Sequence, residues 1–319
     1  MQVSIIITVK NEGEGLRPLL DSLLQQTRLP DEVVFTDAGS TDNTLAVLEE
    51  YQTYLPLRII LAPGSNISQG RNRAIEAAGG EIIACTDAGV MLSPGWVEEL
   101  IRPILEDHAV VVSGWFEPDP YTNFEVVLGA TVLPDRTDVR PETFLPSSRS
   151  VAYLKSAWQA VGGYPEWLDY SEDLIFDLAL RRHYGTFAFA PGAIAYFRPR
   201  GSLNAFARQY YRYAHGDGKA NLWPRRHLAR YLAYLLVLPL LLRSVARGKW
   251  AGAVVLAAGV AAYCLRPAQR LWQWTFGWRP LTRLRAFALI PVIRLVGDLA
   301  KMLGYPAGAI WRWRRRERS

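Results

Sequence analysis

The sequence is poor in cysteine, methionine and histidine, and it has no repeat of fixed period. Its 319 residues include two cysteines, three methionines and four histidines. The cysteines, Cys85 and Cys264, are too few for a disulfide-dense scaffold and favour a reducing compartment. The lack of heptads, collagen triplets and longer repeats excludes fibrous and solenoid architectures. No basic, apolar leader precedes the strand-like run Val3–Val9, so we expect the amino-terminal part to stay in the cytoplasm.

Acidic residues are almost absent from the last third of the chain. Residues 201–319 contain 21 Lys and Arg but 3 Asp and Glu, whereas residues 1–200 contain 15 and 27. An acidic first part and a basic, tryptophan-rich second part predict two different units. Basic segments bind nucleic acid or anionic lipid. Because no groove-reading or base-stacking motif accompanies the charge, we expect an anionic membrane and no nucleic-acid partner.

The first part alternates between β-branched runs and helix-like stretches. Strands are predicted at Val3–Val9, Glu32–Thr36, Leu57–Leu61, Ile82–Thr86 and Val110–Ser113, and helices at Gly15–Gln26, Thr44–Tyr51, Ser68–Ala78 and Pro94–Asp107. This alternation predicts an α/β fold with a mostly parallel sheet and helices on both faces. Residues 115–150 are predicted to be a strand-and-loop excursion. Further helices are predicted at Lys155–Val161, Ser171–His183 and Leu203–Ala214, and two short strands at Phe187–Ala190 and Ala193–Phe197.

Beyond Trp223 the sequence becomes apolar and basic. Leu228–Leu242 and Trp250–Leu265 are apolar runs, each shorter than the roughly 20 residues that a spanning helix needs. The basic segment between them leaves a re-entrant or interfacial hairpin and a two-span hairpin both open. Leu284–Trp313 is amphipathic, and the Trp- and Arg-rich end, Trp311–Ser319, is typical of an anionic membrane surface. We therefore predict a first domain at 1–222 and a membrane-associated helical region at 223–319, with a soluble helical domain as the alternative.

Polar residues follow four successive predicted strands, at the sheet edge where open parallel sheets bind ligands. They are Thr8–Glu12, Asp37–Thr44, Gly64–Asn66 and Asp87–Val90. Each segment alone could shape a turn or cap a helix. Together they indicate a single binding crevice.

The same segments resemble motifs of family 2 glycosyltransferases with the GT-A fold, over about residues 1–220. Val3–Glu12 is similar to the family's first-strand signature, and Asp31–Thr44 to its nucleotide-binding segment. Gly70–Asp87 resembles the run that leads to the DxD element. Gly162–Asp177 resembles the acceptor-side ED motif, and Gln209–Tyr213 resembles the QxxRW element with Tyr in place of Trp. The order and spacing of the set make the resemblance specific.

The resemblance implies a binding site for a nucleotide-diphosphate sugar. Its donor-binding residues would be Thr8, Val9, Asn11, Glu12, Asp37, Arg71, Asp87, Ala88, Gln209 and Tyr213. Asp37 would receive the base and ribose, although it could also merely shape its turn. Asp87 occupies the first DxD position and would ligate Mg²⁺ or Mn²⁺, which prefer hard carboxylate oxygens. Gly89 stands where a second carboxylate is usual, which leaves Asp87 as the sole carboxylate of the triplet.

The resemblance also implies the catalytic residues Asp173, Glu172 and Arg212. Asp173 would remove the acceptor hydroxyl proton during an inverting displacement. Glu172 would assist by like-charge repulsion or by orienting the acceptor, and Arg212 would neutralise charge on the departing diphosphate. The alternative for Glu172 and Asp173 is an acidic first helical turn that only complements the helix dipole.

The implied function is inverting transfer of a sugar to a hydroxyl of a lipid-linked saccharide at the cytoplasmic membrane face, as in polysaccharide biosynthesis. A phosphate acceptor, as in polyprenyl-phosphate glycosyltransferases, is the alternative within the class, but it has less need of a base. A non-catalytic sugar-nucleotide-binding scaffold is the alternative from another class, and Gly89 is the residue that favours it.

Overall fold

The computed structural model describes residues 1–316 and divides into two compact units. The first unit comprises Met1–Asp119 and Arg136–Arg198, and the second comprises Pro120–Asp135 and the chain from Pro199 onward. The first compact unit thus ends at Arg198, before residue 222, where the sequence predicted the end of the first domain. The functional boundary at residue 222 stays a prediction. The last three residues of the predicted basic end lie outside the described residues.

An eight-stranded mixed sheet with helices on both faces forms the first unit, in the order β3-β2-β1-β4-β7-β6-β8-β5. Strands β1 to β8 span Val3–Val9, Glu32–Asp37, Leu57–Leu61, Ile82–Cys85, Val90–Leu92, Val111–Pro118, Val151–Leu154 and Ala188–Phe197. The helices of this unit are α1 (Arg17–Leu24), α2 (Thr44–Tyr51), α3 (Ile67–Ala77), α4 (Trp96–Leu105), α6 (Lys155–Ala160) and α7 (Glu172–Tyr184). Strands β3, β2, β1 and β4 are parallel, and β7 is antiparallel to β4 and β6. The predicted α/β class is confirmed.

The alternation of side chains along β1 places two apolar cores on opposite faces of the sheet. Ile5 and Ile7 pack in the core that includes apolar residues of α1, α2 and α4. Ile6 packs in the other core, with apolar residues of α3, α6 and α7. A strand that is buried on both faces is continuously apolar, which is why β1 could be predicted from the sequence.

Four strands of the sheet differ from the prediction by more than one residue. β6 was predicted at Val110–Ser113 and spans Val111–Pro118. Strands β5 and β7 were not predicted. β5 has three residues, too few to show an alternating pattern, and β7 runs directly into α6 at Lys155 without a turn between them. β8 is one strand where two were predicted. Its pairing with β6 passes from Ser113–Phe189 to Trp115–Ile194, so Pro191 and Gly192 bulge from the strand without ending it.

The predicted strand-and-loop excursion at 115–150 is wrong for Asn123–Val132, which forms α5 of the second unit. The Thr122 hydroxyl accepts the Glu125 N–H, and the Glu125 carboxylate accepts the Thr122 N–H in return. This Thr-x-x-Glu capping box is a helix-start signal that the sequence displays. The β-branched residues that follow it concealed the helix, because they lower helix propensity.

Helices make up the second unit. They are α5, α8 (Leu203–Ala220), α9 (Pro224–Leu232), α10 (Leu238–Ala246), α11 (Trp250–Trp274) and α12 (Pro280–Arg316), with a π-helical turn at Ala233–Val237. Helices α8 and α12 are in backbone contact. A Cβ added at Gly304 would lie 2.2 Å from the Tyr211 carbonyl oxygen, and one at Gly308 would lie 2.0 Å from the His215 carbonyl oxygen. Small residues four positions apart therefore permit this close packing.

Two helical segments of the second unit are long and apolar enough to cross a membrane, by length and composition. They are Pro224–Ala246 and Trp250–Trp274. Large apolar side chains such as Leu235, Leu240 and Val254 are more than half exposed. The amphipathic stretch predicted at Leu284–Trp313 lies within α12.

Candidate active site

The carboxyl ends of β1, β2 and β4 lie side by side and carry several predicted donor-binding residues. Thr8 and Val9 pair with Thr36 and Asp37 in the neighbouring strand. Strand β4 pairs with the other side of β1 and ends at Cys85, so Asp87 and Ala88 follow at the same edge. The predicted strand-end residues are therefore together at one edge of the sheet.

The loops after β1 and β2 are hydrogen-bonded to each other. The Asn11 side-chain oxygen accepts the Thr41 N–H at 2.8 Å, and the Asn11 N–H donates to the Ser40 hydroxyl at 2.9 Å. The Glu12 N–H donates to the Thr44 hydroxyl at 3.0 Å. Asn11 and Glu12 are exposed, so their side chains can be reached by a ligand at this edge.

Asp37 is buried and shapes its own loop. Its carboxylate accepts the backbone N–H groups of Gly39 and Ser40 at 3.2 and 3.0 Å, and also the Ser40 hydroxyl. These contacts give Asp37 the turn-shaping role that the sequence had left open. Its contact with a base and ribose stays a prediction.

Arg71 connects two of the predicted site carboxylates. Its Nη1 lies 2.7 Å from Glu172 Oε1 and its Nη2 lies 3.1 Å from Asp87 Oδ1, and only 3% of its side chain is exposed. The preceding Gly70 lets α3 lie directly against β1, because a Cβ there would be 2.8 Å from Thr8 Cγ2. The close approach of α3 therefore carries Arg71 to the sheet edge.

Three carboxylates lie on the first two turns of α7, in different environments. Burial, followed by repulsion from the Asp173 carboxylate, raises the pKa of Glu172 to about 7, although Arg71 opposes the shift. Burial likewise raises the pKa of Asp177 well above its usual range. Asp173 lies between them and is half-buried. Of the three, Asp173 is the carboxylate best placed to contact a substrate.

The turn that precedes α7 is held by α3 through Asn72, which sequence reasoning missed. The Asn72 side-chain oxygen accepts the Tyr164 N–H at 2.9 Å, and its amide donates to the Tyr164 carbonyl at 2.9 Å and to Glu166 Oε1 at 3.0 Å. Ser68, one turn earlier, donates to the Leu168 carbonyl at 3.2 Å. Helix α3 therefore fixes both Arg71 and the start of α7.

Arg149 is a second site residue that the sequence did not reveal. Its Nε lies 3.7 Å from Asp87 Oδ2, and its guanidinium lies 4.5 Å from the centre of the Phe197 ring. The Thr86 hydroxyl donates to the Arg149 carbonyl at 2.8 Å, which joins the Arg149 backbone to the end of β4. The residue lies in an irregular segment without a motif, so no sequence signal marked it. Asp87 therefore has a guanidinium beside each of its two oxygens.

Of the carboxylates of the site, Asp87 is the one that can ligate a divalent cation. No group of three His, Cys, Asp or Glu side chains with metal-ligand geometry occurs among residues 1–316. Asp87 is partly exposed, and its contact with Arg149 is longer than a hydrogen bond, so that oxygen can exchange partners. Mg²⁺ often binds through one or two carboxylates together with substrate phosphates. The residues therefore fit a cation that takes its other ligands from a diphosphate and water.

The remaining predicted residues lie on α8 of the second unit. Gln209 donates from its side-chain amide to the Tyr213 hydroxyl at 2.7 Å. Arg212 is exposed and lies three residues after Gln209, so the two share a helix face. Tyr210, on the same helix, contacts the Lys301 ammonium group with its ring at 4.6 Å.

The α/β architecture, with its parallel block β3-β2-β1-β4 and a polar strand edge, defines a protein of the GT-A fold. A mannosyltransferase from Pyrobaculum calidifontis, described in complex with GDP-Man and Mn²⁺, has a similar fold with a TM-score of 0.65, 19% identity, and coverage of 95% of this chain and 87% of that chain. S. aureus TarS, residues 1–349, gives a TM-score of 0.55 at 19% identity over 100% of this chain and 92% of that chain. These similarities confirm the predicted fold.

The sequence comparison gives a family match over the first part of the chain. The profile "Glycosyl transferase family 2" matches residues 4–147, the part of the chain that holds most of the motifs that resemble this family. An uncharacterised glycosyltransferase of Escherichia coli, YibD, is 34% identical over 107 residues, which are 33% of this chain and 31% of the relative. Chondroitin synthase of Pasteurella multocida is 26% identical over 180 residues, which are 56% of this chain and 18% of the relative. The matched segments thus span a third or less of these relatives.

Proposed function

We propose that this protein is an inverting glycosyltransferase that moves a sugar from a nucleotide-diphosphate donor to a hydroxyl of a lipid-linked saccharide at the cytoplasmic face of a membrane. The observation that carries the proposal is the buried Arg71 guanidinium, which contacts both Asp87 and Glu172 and so joins the DxD-like strand end to the ED-like helix start. A turn that merely began a helix would not need a buried guanidinium shared between two distant carboxylates. The solved proteins of similar fold include complexes with GDP-Man and UDP-GlcNAc, which supports a nucleotide-sugar donor.

In the proposed reaction Asp173 acts as the general base. The acceptor hydroxyl oxygen attacks the anomeric carbon, its proton passes to the Asp173 carboxylate, and the bond from that carbon to the diphosphate oxygen breaks. One displacement inverts the configuration and needs no covalent intermediate. Glu172 is held by Arg71 and the helix start, and in this proposal it keeps Asp173 in position. Arg212 is proposed to neutralise the departing diphosphate.

Asp87 is proposed to hold Mg²⁺ or Mn²⁺, which would supply positive charge to the diphosphate when bound. The similar mannosyltransferase contains Mn²⁺, which supports a divalent cation in the family fold. Arg71 and Arg149 hold the Asp87 carboxylate in place from two sides. Asn11, Glu12, Asp37 and the other strand-end residues are proposed to bind the nucleoside.

The second unit is proposed to attach the enzyme to the cytoplasmic membrane. Its two apolar helical segments expose large aliphatic side chains, and basic residues dominate its sequence. Apolar burial and attraction to anionic lipid would act together at such a surface. A lipid-linked acceptor is the substrate that an enzyme held there would reach.

The experiment that tests the proposal compares Asp173→Asn with the matched variant Asp107→Asn, using the full chain in mild detergent. Asp107 is exposed and follows α4 with a positive φ that asparagine tolerates. Nucleoside diphosphate release and sugar transfer to extracted lipid would be measured across UDP- and GDP-sugars. We expect Asp173→Asn to lower turnover by about 10²–10⁴ with donor affinity within a few-fold, and Asp107→Asn to behave like wild type.

Two results would contradict this assignment. Near-normal turnover of Asp173→Asn would remove Asp173 from the mechanism. Nucleotide binding by the wild-type protein without hydrolysis or transfer for any donor would favour the non-catalytic binder.

A further inference from the structure

An open polar cavity lies in the second unit, and none of the residues assigned to catalysis or donor binding lines it. Its volume is about 150 Å³, several times the roughly 30 Å³ that a water molecule occupies in the liquid. Helices α5, α8, α11 and α12 line it. The side chains used below are those of Tyr210, Tyr263, Arg294, Asp298 and Lys301.

Among the described residues, one carboxylate lines the cavity, and it is already neutralised. Asp298 Oδ1 accepts from Arg230 Nε at 2.7 Å, and Asp298 Oδ2 accepts from the Tyr234 hydroxyl at 3.0 Å and from the Tyr263 hydroxyl. An aspartate with one guanidinium and two hydroxyl donors has little capacity left for a further cation. The remaining charge of the cavity is therefore set by its other ionisable groups.

Those groups are two cations that lack carboxylate partners. Arg294 and Lys301 are seven residues apart on α12, so they lie on the same helix face as Asp298. Neither forms an ion pair within the part of the chain that the structure describes. Arg294 contacts the Tyr263 ring at 3.8 Å, and its Nε is buried without a hydrogen-bond partner. Lys301 contacts the Tyr210 ring at 4.6 Å. Burial, followed by repulsion from Arg230, lowers the pKa of Lys301, although Asp298 and Asp217 oppose the shift.

The position of the cavity along α11 indicates where its ligand comes from. Tyr263 lies near the end of the apolar run of α11, just before Arg266 and Arg270. Such a change from apolar to basic residues marks the level of lipid headgroups at a membrane surface. A cationic cavity at that level would face phosphate groups.

We propose that this cavity binds the phosphate group of a membrane lipid or lipid-linked compound through Arg294 and Lys301. The guanidinium supplies donors in a planar fork that suits phosphate oxygens, and the ammonium adds a second charge. This inference goes beyond the proposed transfer reaction, because it assigns a ligand site to the second unit. The same phosphate chemistry could come from free phosphate, so the test separates the two sources.

The test measures binding of dihexanoyl phosphatidic acid and of inorganic phosphate to the full chain in a neutral detergent, by titration calorimetry. The test variant is Arg294→Gln with Lys301→Gln. The matched control is Arg247→Gln with Lys249→Gln, which removes two exposed basic residues between α10 and α11. We expect the test variant to weaken phosphatidic acid binding at least tenfold and the control to change it less than twofold. Tighter binding of phosphatidic acid than of phosphate assigns a lipid source, and equal binding assigns free phosphate.

Further measurements separate loss of the site from loss of the fold. Lys301→Arg keeps the charge, so its affinity for phosphatidic acid should fall less than threefold. Lys301→Gln alone should lower that affinity clearly more. Nucleotide affinity should be unchanged in all of these variants, so failure here is distinguishable from failure of the transferase proposal. The proposal is overturned if wild-type protein binds neither compound at millimolar concentration, if the control pair weakens binding as much as the test pair, or if Lys301→Arg behaves like Lys301→Gln.

Discussion

Replacing Arg71 with Gln tests whether the buried ion pairs of the site are essential to the fold of the first unit. Arg71 and Glu172 are 2.7 Å apart, with 3% and 8% of their side chains exposed. Removing one partner of a buried pair leaves the other charge uncompensated, which typically costs about 3–5 kcal/mol. We therefore expect Arg71→Gln to remove a large part of a stability that is about 5–15 kcal/mol for ordinary domains.

Arg17 offers a matched control with the same geometry but a different environment. Its Nη2 is also 2.7 Å from a carboxylate, that of Glu50, and the two side chains are 33% and 52% exposed. Water screens such a pair and solvates the carboxylate after the arginine is removed. We expect Arg17→Gln to change the unfolding midpoint little.

The cost of Arg71→Gln should depend on pH, because Glu172 titrates near neutrality. Its pKa is raised from 4.5 to about 7, equivalent to about 3 kcal/mol. A raised carboxyl pKa means that the folded state binds the proton more tightly, so this contribution to stability is complete below pH 4.5 and lost as the pH rises through 7. At pH 5.5 Glu172 is protonated in the folded wild type and variant alike. The penalty for losing Arg71 should therefore be smaller at pH 5.5 than at pH 8.

Urea unfolding of the full chain in mild detergent, followed by tryptophan fluorescence, measures both effects. Arg71→Gln and Arg17→Gln are compared with wild type at pH 5.5 and pH 8. Equal shifts of the unfolding midpoint for the two variants would show that burial of the Arg71 ion pairs adds nothing to their contribution to stability. An Arg71→Gln penalty that is the same at both pH values would show that its cost does not arise from the Glu172 charge.

Two further predictions concern the second unit. Full-length protein should stay on membranes in 1 M NaCl, where the screening length falls to about 3 Å, and detergent should release it. Release by salt alone, measured by ultracentrifugation, would show that the attachment is only electrostatic. Lys249→Cys in a Cys264→Ser background should react with an impermeant maleimide added on the side of the membrane where the donor-binding domain lies. The reason is that the basic residues between α10 and α11 oppose translocation. Labelling from the opposite side alone would establish a two-span hairpin.

The first half of the fold could be predicted from the sequence because its elements have strong, simple periodicities. Strands β1 and β3 and helix α2 begin and end where they were predicted. Each is a complete apolar or amphipathic run between polar turns, so local pattern and tertiary packing agree. The failures, β5, β7 and α5, are elements whose form is decided by partners distant in sequence or by a capping box rather than by periodicity.

The candidate site was predicted in part, for a related reason. Asp87, Glu172 and Asp173 belong to motifs that can be read along the chain. Asn72 and Arg149 belong to no motif, because their roles come from the approach of distant segments. Helix α3 brings Asn72 to the turn before α7, and Arg149, two residues before β7, lies beside the end of β4. Sequence therefore identified the carboxylates, whereas the structure was needed to find the groups that hold them.

The absence of a second carboxylate at Gly89 is not imposed by packing, and this leads to a last prediction. Gly89 is exposed, and a Cβ added there would have no heavy atom within 4 Å. An aspartate therefore fits, close in sequence to Asp87, where it could supply a second oxygen ligand to the proposed cation. We expect sugar transfer by the wild type to stop in excess EDTA. Gly89→Asp should reach half-maximal activity at a lower Mn²⁺ concentration than the wild type. Gly89→Asn lacks the added charge, so it should lower that Mn²⁺ concentration less. Manganese titration of transfer rate measures this difference. If EDTA leaves activity intact and Gly89→Asp does not change the manganese response, then Arg71 and Arg149 beside Asp87 serve the diphosphate directly, and Asp87 is a positioning residue for those arginines instead of a metal ligand.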